Sequence, residues 1–188
     1  MNKVIQMLLV LTSIGIISGG LLAVISEWAD PLIAANQKAA TEAAIFRVKP
    51  ESKSYKQIEN VGFELYKVIN EKNEDAGFAL VYDGNGFSGK IRLIAGLSED
   101  LSNISAIEIL DQIETPGLGT KITEEPFTSQ FLKLETNPKI EWIKGAEPTK
   151  PNEIQTITGA TISSKAVVAI LNDGISRLKK LRDSGGLK

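Results

Sequence analysis

The segment that constrains the fold most is residues 4–25, because none of these 22 residues carries a charged side chain. As a helix it spans about 33 Å, which is enough to cross a hydrocarbon core of roughly 30 Å. A cleaved signal peptide has a shorter apolar stretch and a small residue at the third position before the cut, where Leu21 stands for a cut after Ala23. We therefore predict a retained transmembrane helix over residues 4–26. A signal peptide and the buried helix of a soluble protein are the alternatives.

The charges that flank this segment predict its orientation in the membrane. Lys3 and the α-amino group precede it, whereas Glu27 and Asp30 follow it. Under the positive-inside rule, residues 1–3 lie in the cytoplasm. The rest of the chain is then expected on the extracytoplasmic side of the cell (inner) membrane, behind a single-pass anchor.

The absence of cysteine and histidine excludes whole classes of chemistry for this chain. Thiolate iron–sulfur ligation, the usual zinc sites, Ser-His catalysis and cysteine nucleophiles all need one of these residues. The formal net charge is −2, with 21 basic and 23 acidic residues, which is not the basic balance of a nucleic-acid-binding protein. No metal site and no catalytic residue is therefore predicted, and any redox chemistry requires an organic cofactor or another chain.

The chain after the membrane segment is predicted to form a stalk helix and one α+β domain. Helix-favouring residues continue through 27–50, with Pro50 as a stop, and the domain covers 51–188. Alternating or apolar runs between turn residues predict strands at 63–69, 77–83, 90–97, 104–110 and 139–145. Helices are predicted at 123–134 and 162–182, a surface loop at 146–153, and Trp142 in the core. Since the first four strands follow one another closely, a mainly antiparallel sheet with flanking helices is expected.

The segment most informative about chemistry is QTITGATISSKAV, residues 155–167. Five hydroxyl side chains fall within nine residues, where the last helix is expected to begin: Thr156, Thr158, Thr161, Ser163 and Ser164. A helix start carries unpaired N–H groups and a partial positive charge, so a phosphate binds well there. Gly159 allows close backbone approach, and the Thr161 hydroxyl is placed to be esterified by a phosphate. The alternative is that Thr158 or Thr161 is only an N-cap.

Three sequence blocks together resemble a family of FMN-binding subunits of membrane redox complexes. TGAT at 158–161 resembles the family's [Ser/Thr]-Gly-Ala-Thr signature, ETPGLG at 114–119 resembles a second block, and GFSGKI at 86–91 a third, looser one. The family comprises the G subunit of the Rnf electron-transport complex and the related C subunit of the Na+-translocating NADH:quinone oxidoreductase. The length of 188 residues is closer to that of the Rnf protein.

The resemblance implies that FMN is joined through its phosphate to Thr161 by a dedicated flavin transferase, which uses FAD and a divalent metal. The other candidate cofactor-binding residues are Thr158, Gly159, Ala160, Ile162, Ser163, Lys165, Glu114, Thr115, Gly117, Leu118, Gly119 and Phe87. Lys121 is a further candidate, although most lysines simply face water. ETPGLG is alternatively only a turn, and a hairpin needs the glycines around Phe87 in any case. Gln155 departs from the family pattern, in which an acidic residue is usual at this position.

The function that the resemblance implies is electron transfer in a complex that couples electron flow between ferredoxin and NAD+ to Na+ or H+ transport. The implied partners are the D subunit of that complex, the membrane subunits that carry iron–sulfur centres, and the flavin transferase. The chain alone is expected to show no turnover. Alternatives are the C subunit of the quinone reductase, an anchored scaffold or binding module with a vestigial flavin site, and a stand-alone extracellular flavin carrier.

Overall fold

A computed structural model describes residues 2–187 of the chain, which divides into two compact units between Ala40 and Thr41. The first unit is a continuous stretch of helix α1 (Lys3–Val48), and its side chains are almost all exposed. The most apolar 18-residue window of α1 has a mean hydropathy of 2.4 and is not buried at all. By length and composition, α1 is able to cross a membrane. The limits predicted for its transmembrane and stalk parts stay predictions, because the helix is continuous through both.

The second unit is built on a six-stranded antiparallel sheet in which each strand pairs with its neighbour in sequence. The strands, in chain order and in spatial order, are β1 (Ser52–Ile58), β2 (Glu64–Asn70), β3 (Asp75–Asn85), β4 (Lys90–Leu97), β5 (Asn103–Gln112) and β6 (Leu134–Glu135). The first four predicted strands are present as β2 to β5, and the predicted fold class is confirmed. Strands β1 and β6 are additional; both lie at the edges of the sheet.

Short elements connect this sheet to the last helix. A 3-10 turn (Gly119–Thr123), helix α2 (Glu125–Thr128) and a second 3-10 turn (Ser129–Phe131) follow β5. The single helix predicted at 123–134 is therefore wrong. Helical geometry ends at Phe131, because Leu132 is extended with a ψ of 118°, and Lys133 then has a positive φ of 59° just before β6. Strands β7 (Glu141–Ile143) and β8 (Glu153–Gln155) pair in parallel, and β8 leads towards α3 (Thr161–Asp183).

Both faces of the six-stranded sheet are covered by helices. One face packs against α3 and against the segment between β5 and β6. The core formed there includes Leu80, Leu93, Leu97, Phe127, Phe131, Val167, Leu171 and Leu178. The other face packs against the last two turns of α1, where Ala44, Ile45 and Val48 contact Tyr66, Val68, Ala79, Val81 and Ile94. Helix α3 is thereby held against the end of β3, since Ile170 of α3 lies against Gly84 of β3.

The turn between β4 and β5 carries a carboxylate whose ionisation contributes to stability. The Asp100 carboxylate accepts hydrogen bonds from the Ser98 hydroxyl (2.6 Å) and the Ser102 hydroxyl (2.7 Å), and also from the Ser102 N–H (3.0 Å). These bonds, that from Ser98 first, lower the pKa of Asp100 from 3.8 to about 2. The folded state therefore gains stability from the ionised form above the unfolded pKa, and this gain disappears as the pH falls through the folded pKa.

We accordingly expect Asp100→Asn to lower the free energy of unfolding most above about pH 4, and progressively less as the pH approaches about 2. Thermal unfolding of both proteins across this range measures the difference. The exposed Glu99, next in the chain, gives a matched control as Glu99→Gln. A difference between Asp100→Asn and the original protein that does not change with pH would contradict the assignment.

Candidate functional site

The first turn of α3 has an uncapped N-terminus. Its N-cap residue is Ala160, and within residues 2–187 no side chain forms a capping hydrogen bond there. The alternative that Thr158 or Thr161 serves as the N-cap is therefore wrong. The Thr161 hydroxyl is 3.5 Å from the Ile157 carbonyl oxygen, which is the limit of a hydrogen bond, and the residue is half-buried. The helix start thus keeps its positive potential and its N–H donors for an anion.

A cavity of about 380 Å³ opens beside this helix start. It is lined by Phe87, Thr115, Leu118, Gly119, Lys144, Thr158, Gly159, Ala160, Thr161, Ile162 and Ser163. All of these residues except Lys144 are candidates from the three sequence blocks, which lie far apart in the chain. Its volume is within the range of small-molecule sites, roughly 300–1,000 Å³. The fold therefore brings the three blocks to one place.

Glu114 of ETPGLG connects GFSGKI to the first turn of α3, which begins in TGAT. One of its carboxylate oxygens accepts hydrogen bonds from the N–H groups of Phe87 (2.8 Å) and Ser88 (2.9 Å), and the other accepts one from the Ser163 hydroxyl. The residue is only 4% exposed. Burial alone would raise the pKa of Glu114, but the bonds from Ser163, Ser88, Phe87 and Gly89 together hold the pKa below its ordinary value. The carboxylate is therefore ionised at neutral pH.

Two glycines are required by the closeness of this carboxylate. A Cβ at Gly86 would lie 2.3 Å from a Glu114 carboxylate oxygen, and one at Gly119 would lie 2.7 Å from the Glu114 Cβ. In the TGAT block, Gly159 has a φ of 87°, which favours glycine. One glycine in each block is thus required, either by close packing (Gly86 and Gly119) or by backbone geometry (Gly159).

Besides Glu114, three of the candidate residues lie outside the cavity wall. Gly117 has a φ of 72° and donates its N–H to the Thr120 hydroxyl (3.0 Å), so it shapes the turn. Lys121 lines a neighbouring cavity of about 330 Å³. The ammonium group of Lys165 lies 3.7 Å from the centre of the Trp142 ring, a cation–π contact. The prediction that Trp142 is a core residue is wrong, since it is 42% exposed and covers this lysine instead.

Lys144 lines the cavity but is absent from the candidates that the sequence provides. It follows β7, whose Ile143 pairs with Gln155 of β8, and β8 leads directly to the TGAT block. Because the two strands are parallel, the residue just after β7 lies at the same end of this strand pair as the segment that leads to Thr158. Only the parallel pairing of β7 with β8 identifies this lysine, and the sequence pattern predicts no strand at β8.

Gln155 is held through its backbone. Its N–H donates to the side-chain oxygen of Gln130 (2.7 Å), and its carbonyl accepts from the Gln130 amide nitrogen (3.2 Å). The Gln155 residue is half-buried and lines the cavity that also contains Lys121. Position 155 thus lines a different cavity from Thr161.

Thr156 presents a buried hydroxyl whose oxygen has no hydrogen-bond partner among residues 2–187. The residue is 5% exposed, so this oxygen is also kept from water. We expect Thr156→Val, which keeps the shape and removes the hydroxyl, to raise the free energy of unfolding by about 1 kcal/mol. Thermal unfolding of the full chain in detergent measures the change, and Thr158→Val, at an exposed position, serves as the control. A lower unfolding temperature for Thr156→Val would show that the hydroxyl is bonded after all.

Comparison with known proteins identifies the family of the chain. Residues 86–176 match the FMN-binding domain family. The G subunit of the ion-translocating oxidoreductase complex of Methanosarcina acetivorans is 34% identical over 111 residues, which cover 58% of this chain and 55% of that protein. The G subunit of the Na+-translocating ferredoxin:NAD+ oxidoreductase complex of Acetobacterium woodii is 32% identical over 154 residues, which cover 78% of this chain and 73% of that protein. The chain belongs to this G-subunit family.

Membership of the G-subunit family confirms the resemblance drawn from the three blocks, all of which lie within the matched residues 86–176. The aligned part spans about half the length of the Methanosarcina relative. The crystal structure of NqrC from Shewanella oneidensis has the same fold, with a TM-score of 0.58 at 13% identity over 72% of this chain and 74% of that one. Together with the apolar α1, family membership makes this chain a membrane-anchored component of a larger complex.

Proposed function

We propose that this chain is the electron-transfer subunit of a membrane complex that couples electron flow between ferredoxin and NAD+ to the translocation of Na+ or H+. It carries FMN as a covalent group, joined through the phosphate to the Thr161 hydroxyl. The observation that carries the proposal is the convergence of the three sequence blocks on one cavity beside an uncapped helix start.

The residues around this cavity suit the two ends of FMN. A phosphate esterified to Thr161 keeps one negative charge, which the exposed start of a helix stabilises by about 0.3–1 kcal/mol. The side chains of Phe87, Leu118 and Ile162 are exposed at the cavity and offer apolar surface to a flat aromatic ring system. FMN supplies the electron transfer, and the protein binds and orients it. No acid, base or nucleophile of the chain is needed for that role.

The covalent bond is consistent with the side of the membrane that the flanking charges favour. Lys3 precedes the apolar segment, so we place the N-terminus in the cytoplasm and the FMN-binding domain outside. A cofactor released there would be lost to the cell. A covalent bond therefore keeps the carrier loaded.

The proposal requires partners on both sides of the electron path. We assign these roles to the D subunit and to the membrane subunits that carry iron–sulfur centres, with a flavin transferase acting during maturation. Gln155 stands where the family usually has an acidic residue, so the transferase is expected to act on this chain more slowly than on an acidic counterpart. The chain by itself is expected to show no turnover.

The mass of the intact protein purified from its own host tests the proposal. The expected mass exceeds that of the polypeptide by one FMN less one water, and the added mass maps to a peptide that contains Thr161. Protein co-expressed with the transferase should remain yellow and fluorescent after denaturation, whereas protein expressed without the transferase should be colourless. A chain from the native host that lacks the adduct would contradict the carrier function and favour an anchored scaffold.

A further inference from the structure

Glu114 is a buried, charged side chain that bonds to residues lining the proposed flavin site. It does not line the cavity, although residues on either side of it in space, Phe87 and Ser163, do. Its two carboxylate oxygens face different elements. One bonds to the loop between β3 and β4, and the other bonds to the first turn of α3. Glu114 is therefore the direct link between the two walls of the cavity.

The negative charge of Glu114 is not neutralised by a basic side chain. Within residues 2–187, no lysine or arginine forms an ion pair with it, and its hydrogen-bond donors are neutral N–H and hydroxyl groups. At 4% exposure, water screens it poorly. An unpaired charge in such surroundings acts on nearby groups more strongly than a charge at the surface.

The position of the charge decides which group it acts on. The Ser163 hydroxyl that bonds to Glu114 belongs to the same helical turn as Thr161, the proposed site of FMN attachment. Reduction adds electrons, and therefore negative charge, to a flavin bound there. The Glu114 carboxylate beside the cavity opposes this addition of negative charge. Its field is also opposite in sign to that of the helix start.

We infer that Glu114 is a positioning residue that fixes the loop between β3 and β4 against the first turn of α3 and lowers the reduction potential of the flavin bound at Thr161. The second part of this inference rests on the proposed function. The first part concerns the polypeptide alone. The two parts predict different measurements, so that each can fail separately.

The reduction potential tests the electrostatic part. The full chain, co-expressed with the flavin transferase and purified in detergent, is compared as the original protein, as Glu114→Gln and as the control Glu99→Gln, which changes the same charge at an exposed position. Glu114→Gln should favour the reduced flavin about tenfold, which is 59 mV for one electron. Glu99→Gln should leave the potential unchanged. An unchanged or lower potential for Glu114→Gln would overturn this part.

Amide hydrogen exchange in flavin-free protein tests the positioning part. In the Thr161→Ala background, the amides of Phe87 and Ser88 should exchange about tenfold faster when Glu114→Gln is added, and at an unchanged rate when Glu99→Gln is added. Ser163→Ala removes only the helix-side bond and should accelerate the same amides severalfold, so it replaces Glu114→Gln if that protein does not fold. Equal exchange rates in all of these proteins would overturn the positioning role. If the original chain never acquires flavin, the proposed function and the potential shift both fail, and the exchange rates still decide the positioning role.

Discussion

Replacement of Thr161 by alanine should abolish covalent flavin attachment completely. The substitution removes the only oxygen at the first residue of α3 to which a phosphate can be esterified, and it leaves the backbone unchanged. Within residues 2–187 the Thr161 hydroxyl makes one hydrogen bond, to the Ile157 carbonyl at 3.5 Å, so its loss should change the free energy of unfolding little. The protein is co-expressed with the transferase, and its fluorescence is measured in a denaturing gel together with its intact mass. Both signals should be absent.

Thr161→Ser is the matched control for this experiment, because it retains a hydroxyl at the same position. We expect it to remain fluorescent and to carry the mass of FMN less one water. Four other hydroxyl side chains lie close by, at positions 156, 158, 163 and 164. Fluorescence that persists in Thr161→Ala would move the attachment to one of them, and peptide mapping would identify it.

The sequence predicts an element well when the same burial pattern continues along its whole length. In β4, five residues from Leu93 to Leu97 are buried, and the chain there is an uninterrupted apolar run between turn residues. In α3, apolar residues repeat every three or four positions, and Lys180 and Arg182 occupy the last turn. Gly185 follows the helix with a φ of 75°, the left-handed geometry for which glycine is the usual residue after a helix end.

The sequence does not predict elements that lie at the edge of the sheet or that pair with a distant segment, because neither property produces a local hydrophobic pattern. Strand β1 lies at the edge of the sheet beside β2 and exposes much of its surface, so its residues, SKSYKQI, show little apolar alternation. Strands β7 and β8 have three residues each, and their parallel pairing brings together segments that a polar loop separates. Such pairing depends on the tertiary fold.

The same limit applies to the site. The spacing of the blocks and their resemblance to a family predict which residues matter, but not how each one acts. Glu114 is predicted to bind the cofactor, and this stays a prediction. The structure adds that Glu114 does not line the cavity and that its carboxylate bonds to residues that do, Phe87 and Ser163. Lys165 and Lys144 are both lysines near the start of α3, yet only Lys144 lines the cavity, because the Trp142 ring holds Lys165 elsewhere. Such distinctions depend on the positions of side chains in the folded protein, which the sequence pattern does not give.

A methyl group added at Gly119 should disrupt the site more than any other single-carbon change within ETPGLG. The Cβ of alanine would lie 2.7 Å from the Glu114 Cβ, 2.9 Å from a Glu114 carboxylate oxygen and 3.0 Å from the Ser163 hydroxyl. Gly119 and Glu114 are both buried, so the clash cannot be relieved by movement into solvent. We expect Gly119→Ala to lower the free energy of unfolding by about 2–3 kcal/mol. Flavin incorporation by the transferase should also fall severalfold, because the two walls of the cavity move apart.

Gly117→Ala separates this steric effect from a general requirement for glycine in the loop. Gly117 has a positive φ of 72°, but no atom lies within 4 Å of the position that its Cβ would take. Its replacement should therefore lower the free energy of unfolding by only about 1 kcal/mol, the cost of left-handed backbone geometry. Thermal unfolding and the flavin content of both variants measure the contrast. Equal losses would mean that the backbone conformation of ETPGLG, rather than the packing of Glu114 against α3, holds the site together.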